Sequence, residues 1–322
     1  MRRTPQADPA GASSSDPLAG LDPGPPVALR HPGRWVAGGV VFFIVVWFGY
    51  TVVTNPNFQW PIVGHYLFSR EIIAGVLVTI QLTISAMAIG VTLGVVVALM
   101  RQSDNRLLAW SAHAYIVCFR ATPALVQLIF WFNLSALFPL ITIGVPFFGP
   151  DFISVNANLI ITPLIAANLG LGLCEGAYMA EIVRSGILSV DAGQREAAAA
   201  VGMTRAQTMR KVVLPQALRV IIPPTGNQII GMLKYTSLAS VISVTELLSS
   251  AELIYTRTFE TIPLLIVASL WYVALTSVLT AGQRVLERRV GRSQTDAPAG
   301  RVLPFRLAVV HNLFASRGAR LG

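Results

Sequence analysis

The chain has 322 residues, 54% of them hydrophobic and only 12% charged, with a net charge of +9 from 24 Lys and Arg against 15 Asp and Glu. A soluble domain carries about 25% charged residues, so the composition excludes an ordinary soluble enzyme and indicates an all-α protein that crosses a membrane several times. Its two cysteines, Cys118 and Cys174, lie in apolar stretches, fit neither a disulfide framework nor a metal site, and read as packing residues.

Residues 1–34 are rich in Pro, Ala, Gly and Ser without apolar periodicity, and are expected to form a disordered cytoplasmic tail. Trp35 to Val53 is uncharged and long enough to span, with Trp35, Trp47 and Tyr50 as interfacial anchors. A polar and aromatic loop leads to a second span, Ile72 to Met100, stopped by Arg101 and Arg106. The third span, Ala112 to Phe138, is entered through Arg120 and interrupted near its start by Pro123. After a Pro- and Gly-containing loop, Asn158 to Ile182 makes a fourth.

Asp191 to Pro215 differs in kind, being an alanine-rich, cationic helix–turn–helix between membrane segments. Asp191 with Gln194 has the form of a helix-starting capping box, Ala197 to Ala200 continue the helix, and Gly202 stands where a left-handed residue would stop it. Thr204 with Gln207 starts a second helix, whose continuation Pro215 is expected to limit. A short fifth span, Ala217 to Leu233, is predicted to be broken at Pro223 and Pro224. Lys234 to Glu260 reads as re-entrant or interfacial. The sixth span, Ile262 to Thr280, runs into Arg284, Arg288, Arg289 and Arg292, and residues 293–322 are expected to be a flexible basic tail.

Placing the N-terminal tail in the cytoplasm puts Arg101–Arg106, the Arg184–Arg219 region and the Arg284–Arg292 run there too. Only Arg70, Arg257 and Lys234 are left to the other side, the asymmetry expected of six spans with both ends inside. Positive charge shared among membrane-adjacent loops excludes a nucleic-acid role. No G-x-x-x-x-G-K-[ST] loop, metal-ligand spacing or nucleophile–base set occurs, so neither catalysis, a metal nor ATP binding is expected of this chain. His31, His65, His113 and His311 read as incidental.

Polar side chains inside spans carry the functional signal. Most of them, including Thr79, Gln81, Thr83, Gln127, Asn133, Asn227 and Gln228, have a bland reading as interhelical hydrogen bonds worth about 1 kcal/mol or less each. Glu175 is different, because an ionised carboxylate at membrane depth must face water, meet a cation or stay protonated. Glu181 and Arg184, at i and i+3, suit an interfacial ion pair. On these residues alone, a self-contained secondary transporter or channel using Glu175 is an open alternative.

Several elements in order resemble importer-type ATP-binding-cassette permease subunits of the polar amino-acid subgroup. Glu196-Ala197-Ala198, then Gly202, then Leu214-Pro215 is similar to that family's EAA loop, with Val212 where Ile is usual. RATPALVQ, from Arg120 to Gln127, resembles the subgroup's R-G-T-P-L-L-V-Q, with Ala121 and Ala124 as departures. AYMAEIVRSG, from Ala177 to Gly186, and Gly193-Gln194 resemble its approach to the loop. KYTSL, from Lys234 to Leu238, is similar to its K-D-T-S-L element, with Tyr235 replacing Asp.

The resemblance covers Gly75 to Leu286. It implies a type-I importer permease domain over 75–286, preceded by an extra N-terminal span at 35–53. It also implies a non-catalytic subunit in the cell membrane, paired with an identical or related permease around one translocation pathway. A cytoplasmic ATPase dimer, holding the ATP and Mg, would receive the EAA loop at Gly193, Glu196, Ala197, Ala198, Gly202, Leu214 and Pro215. An extracytoplasmic binding protein would deliver the amino acid. The candidate substrate pathway comprises Thr79, Thr83, Gln127, Glu175 and Asn227, with Thr236 and Ser237 from the last matching element.

Overall fold

The computed structural model describes residues 32–144 and 151–291. The expectations for both tails fall outside this range except at residues 32–34. The chain divides into two units, Met1–Phe58 and Gln59–Gly322. In the first, α1 (Pro32–Thr54) is a 23-residue apolar helix followed by a 3-10 turn at Pro56–Phe58. At 1.5 Å per residue it is long enough to cross a bilayer.

The second unit begins with α2 (Trp60–Tyr66) and α3 (Arg70–Arg101), whose first turn is capped by the Ser69 hydroxyl. The third predicted span is two helices, α4 (Arg106–Ala121) and α5 (Ala124–Phe132), set at 103° to one another. Pro123 cannot donate to the helix before it and restricts Thr122 to extended backbone, so the proline interruption is a corner. A turn of helix, α6 (Leu134–Leu137), leads to an antiparallel pair, β1 (Leu140–Gly144) and β2 (Asp151–Asn156), within the segment expected to be loop. Then come α7 (Ala157–Ile160) and α8 (Pro163–Leu188), the latter started by Pro163 with Thr162 as its cap.

The Asp191–Pro215 segment forms α9 (Ala192–Ala200) and α10 (Arg205–Thr208). Pro215 does not end the second helix. A π-turn at Met209–Val213 joins α10 to α11 (Leu214–Tyr235), and Pro215 sits in the first turn of α11, where its missing N–H costs nothing. Pro223 and Pro224 do not break the fifth span either, since α11 runs through both. Side chains bind backbone oxygens nearby: Gln283 Nε2 donates to the Pro223 carbonyl at 3.2 Å and Thr225 Oγ1 to Ile221 at 2.8 Å. The real break lies further on, where a 3-10 segment at Thr236–Ile242 ends at left-handed Ser243. The chain then turns into α12 (Leu247–Thr258) and α13 (Thr261–Gly291).

Three of the described helices are long and apolar enough to cross a membrane, and up to five spans result if each bent pair counts as one. The 26-residue α8 matches them in length and carries Glu175, Glu181 and Arg184 within it.

The centre of the second unit is α3 against α8. Each carries a G-x-x-x-G pair, Gly90 with Gly94 and Gly172 with Gly176, which let the two backbones approach closely. A side chain at Gly94 would collide with Met179 and reach the Ala180 backbone nitrogen at 3.0 Å. Gly94→Leu is therefore expected to destabilise the second unit by about 1–3 kcal/mol, read as a lowered melting temperature in detergent. Gly282→Ala, where nothing lies within 4 Å, should leave it unchanged or raised. Equal melting points for the two variants would show that α3 and α8 do not pack this closely.

Candidate functional site

A cavity of about 550 Å³ opens beside the α4–α5 corner. Its walls come from Arg120 to Leu125, from Leu171, Cys174, Glu175 and Tyr178 of α8, and from Gln228, Met232 and Tyr235 of α11. The Glu175 side chain is 4% exposed, and its Oε1 has no hydrogen-bond partner among the described residues. The Gln228 amide faces it from α11. Gly90 allows this placement, since a Cβ there would stand 2.6 Å from Glu175 Cγ. A carboxylate with an unsatisfied oxygen, on a wall largely apolar apart from Arg120 and Gln228, is suited to a cation.

Gln127 shapes the cavity from behind its wall, and its Oε1 is buried with no hydrogen-bond partner among the described residues. Its Nε2 donates to the Phe119 carbonyl at 2.9 Å and to the Thr122 carbonyl and hydroxyl at 3.1 and 2.8 Å, clamping the corner on both sides of Pro123. Cys174 is half-buried and lines the same cavity, and Cys118 is exposed.

The remaining pathway candidates lie elsewhere. Thr79 accepts the Leu247 N–H at 3.1 Å, Thr83 donates to the Thr79 carbonyl at 2.7 Å, and Thr236 is fully buried. Thr79 and Thr236 lie at the Glu246–Tyr272 pair; Glu246 is fully buried, and its carboxylate caps α12 at Leu248 and Ser249 (3.0 and 2.8 Å) and accepts the Tyr272 hydroxyl at 2.8 Å. This cluster clasps α3, α12 and α13 together, and every one of its bonds is internal. Glu246 and Tyr272 escaped the sequence reading because a lone Glu before L-L-S-S carries no motif. Only its N-cap spacing could have marked it. Asn227 turns to α13, where Gln283 Nε2 donates to it at 3.1 Å, and Ser237 donates to its own helix at Lys234. Of the seven candidates, the structure brings only Glu175 to the cavity wall, with Gln127 supporting its rim.

The Asp191–Pro215 segment follows the C-terminal end of α8. Asp191 Oδ1 accepts the Gly193 N–H at 2.8 Å, but a reciprocal bond from Gln194 is not among those formed, so the first cap is simple rather than boxed. The Thr204–Gln207 box is complete in both directions. Gly202 has φ of +78°, and the amides of Met203 and Gly202 close on Ala198 and Ala199, the Schellman pattern that ends a helix with a fixed change of direction. Ala198 is buried, whereas Glu196, Ala197, Leu214 and Pro215 are exposed, and Glu196 forms no ion pair among the described residues. Arg195 Nη2 donates to the Ile187 carbonyl at 2.6 Å, fastening α9 to the last turn of the helix that carries Glu175. That tie was not read from the sequence, where Arg195 is one cation among several.

Residues 90–292 match the family described as binding-protein-dependent transport system inner membrane component. The arginine transport system permease protein ArgU of Corynebacterium glutamicum is 44% identical over 85% of this chain and 85% of its own length. The L-cystine transport system permease protein TcyB of Bacillus subtilis is 37% identical over 72% of this chain and 88% of its own. Among solved structures, an amino acid ABC transporter crystallised with histidines matches 68% of this chain and 94% of its own, at 35% identity and a TM-score of 0.59.

Proposed function

The chain belongs to the family of binding-protein-dependent transport system inner membrane components, and we propose that it is the permease subunit of an ATP-driven importer of a basic amino acid. The observation that carries the substrate class is Glu175, a buried carboxylate with an unsatisfied oxygen on the wall of a 550 Å³ cavity. Such a group favours a guanidinium or ammonium over a neutral side chain. The arginine permease protein among the relatives supports the same class.

The subunit is non-catalytic. It pairs with a second permease, identical or related, and it receives cargo from an extracytoplasmic binding protein. Both termini are cytoplasmic by the charge asymmetry of the loops, which turns the α9–α10 knob toward a cytoplasmic ATPase dimer that holds ATP and Mg. The alternative, a self-contained transporter, finds no support among relatives that are themselves permease proteins of transport systems. Reconstituted in liposomes with its ATPase and binding protein, the chain should accumulate labelled arginine only when ATP is supplied. Arginine flux through this chain alone, driven by a gradient, would refute the assignment.

A further inference from the structure

A second cavity, of about 520 Å³, lies beside the first and shares Arg120 and Tyr178 with it. Arg101 from the end of α3, Arg120 from the end of α4 and Arg184 from α8 converge on it, with His113 on its rim. Three guanidiniums there face one carboxylate. Glu181 is already bound to Arg184, at 2.8 Å to Nη2 and 3.2 Å to Nε. Arg101 and Arg120 have no carboxylate partner among the described residues, Arg120 instead lying over the Tyr178 ring at 5.3 Å. Loop arginines that merely set topology are solvated separately; these three come from three different helices and leave a net excess of two positive charges in one depression.

We propose that this depression binds the phosphate of an anionic phospholipid. Its position favours a lipid over a soluble anion or an acidic protein surface. It lies where α3 ends, hence at headgroup depth, and Ile116 and Val117 line it together with the cations. Along α4 the residues Arg106, Trp110, His113, Val117 and Arg120 follow one another at spacings of four and three, and all five are exposed. That stripe alternates polar, basic side chains with apolar ones, which suits a headgroup among arginines with acyl chain along Trp110 and Val117. Guanidiniums bind phosphate oxygens in pairs, and basic pockets between membrane helices take lipid headgroups for this reason.

Native mass spectrometry of the full chain, extracted from liposomes of equal phosphatidylglycerol and phosphatidylethanolamine, tests the site. Phosphatidylglycerol should remain bound in preference. The Arg101→Gln/Arg120→Gln double variant should lose about tenfold or more of that occupancy, whereas Arg288→Gln/Arg289→Gln, removing equal charge from α13, should not. Glu181→Gln, which frees Arg184, should raise occupancy; a folding defect would not have that sign. Three results would overturn the proposal: equal loss in both double variants, displacement of the lipid by millimolar inorganic phosphate, or its release when the ATPase assembles on the chain. The last two would assign the arginines to a soluble anion or to an acidic protein surface.

Discussion

Glu196→Lys is expected to abolish association with the ATPase while leaving the chain inserted and folded. Glu196 stands exposed on α9 without an ion-pair partner, so nothing inside the described chain depends on its charge. Reversing a charge at a docking surface sets like charges together at a cost of several kcal/mol, which is about 100-fold or more in affinity. Gly202→Val should reach the same end by another route. At φ of +78° a β-branched residue is strained, and relief of that strain would open the Schellman turn and misdirect α10. Co-purification of ATPase with each variant, beside gel filtration of the permease itself, is the measurement. Stoichiometric ATPase with both variants would remove the knob from the coupling role.

The tie from Arg195 to Ile187 explains why such a knob could matter at a distance. Movement of α9 acts on the last turn of α8, and α8 carries Glu175 about three turns away. The α9–α10 knob and the Glu175 wall are thus two ends of one helix and its appendage.

How much of this could be read without coordinates depends on the range of the interaction concerned. Local backbone chemistry was legible: the Thr204–Gln207 box, left-handed Gly202, the Pro123 corner and the Glu181–Arg184 pair all form within a few residues. Local reasoning failed where tertiary contacts overrule it. Pro215, Pro223 and Pro224 looked like helix stops, yet a π-turn and a first-turn position accommodate Pro215, and α11 runs on through Pro223 and Pro224. The actual break at Ser243 has no proline at all. Polarity within a span likewise did not reveal its direction. Thr79, Thr83 and Thr236 are polar residues within apolar stretches, as Glu175 is, but they lie in or beside a closed clasp around Glu246, some 70 residues from Glu175 in the chain. The G-x-x-x-G pairs at Gly90 and Gly172 were visible in the sequence, but their pairing across α3 and α8 was not.

Glu175→Gln is expected to reduce ATP-driven uptake of arginine by about 100-fold or more, with ATPase association intact. The substitution keeps size, removes the charge and exchanges one acceptor oxygen for an NH2 donor, so the cavity at the α4–α5 corner should keep its shape. Losing one partner of a desolvated ion pair costs about 2–5 kcal/mol. Stability should not fall, because the carboxylate has an unsatisfied buried oxygen and its neutralisation removes a desolvation cost. Glu175→Asp should restore part of the transport, since charge returns one methylene short. This pattern separates a cargo group from a structural one: a structural Glu175 would lower the melting temperature and ATPase association together, and Asp would rescue neither. A neutral amino acid carried equally well by wild type and Glu175→Gln would leave the cavity without a charge-reading role. The basic-cargo assignment would then fall, even with the coupling knob fully confirmed.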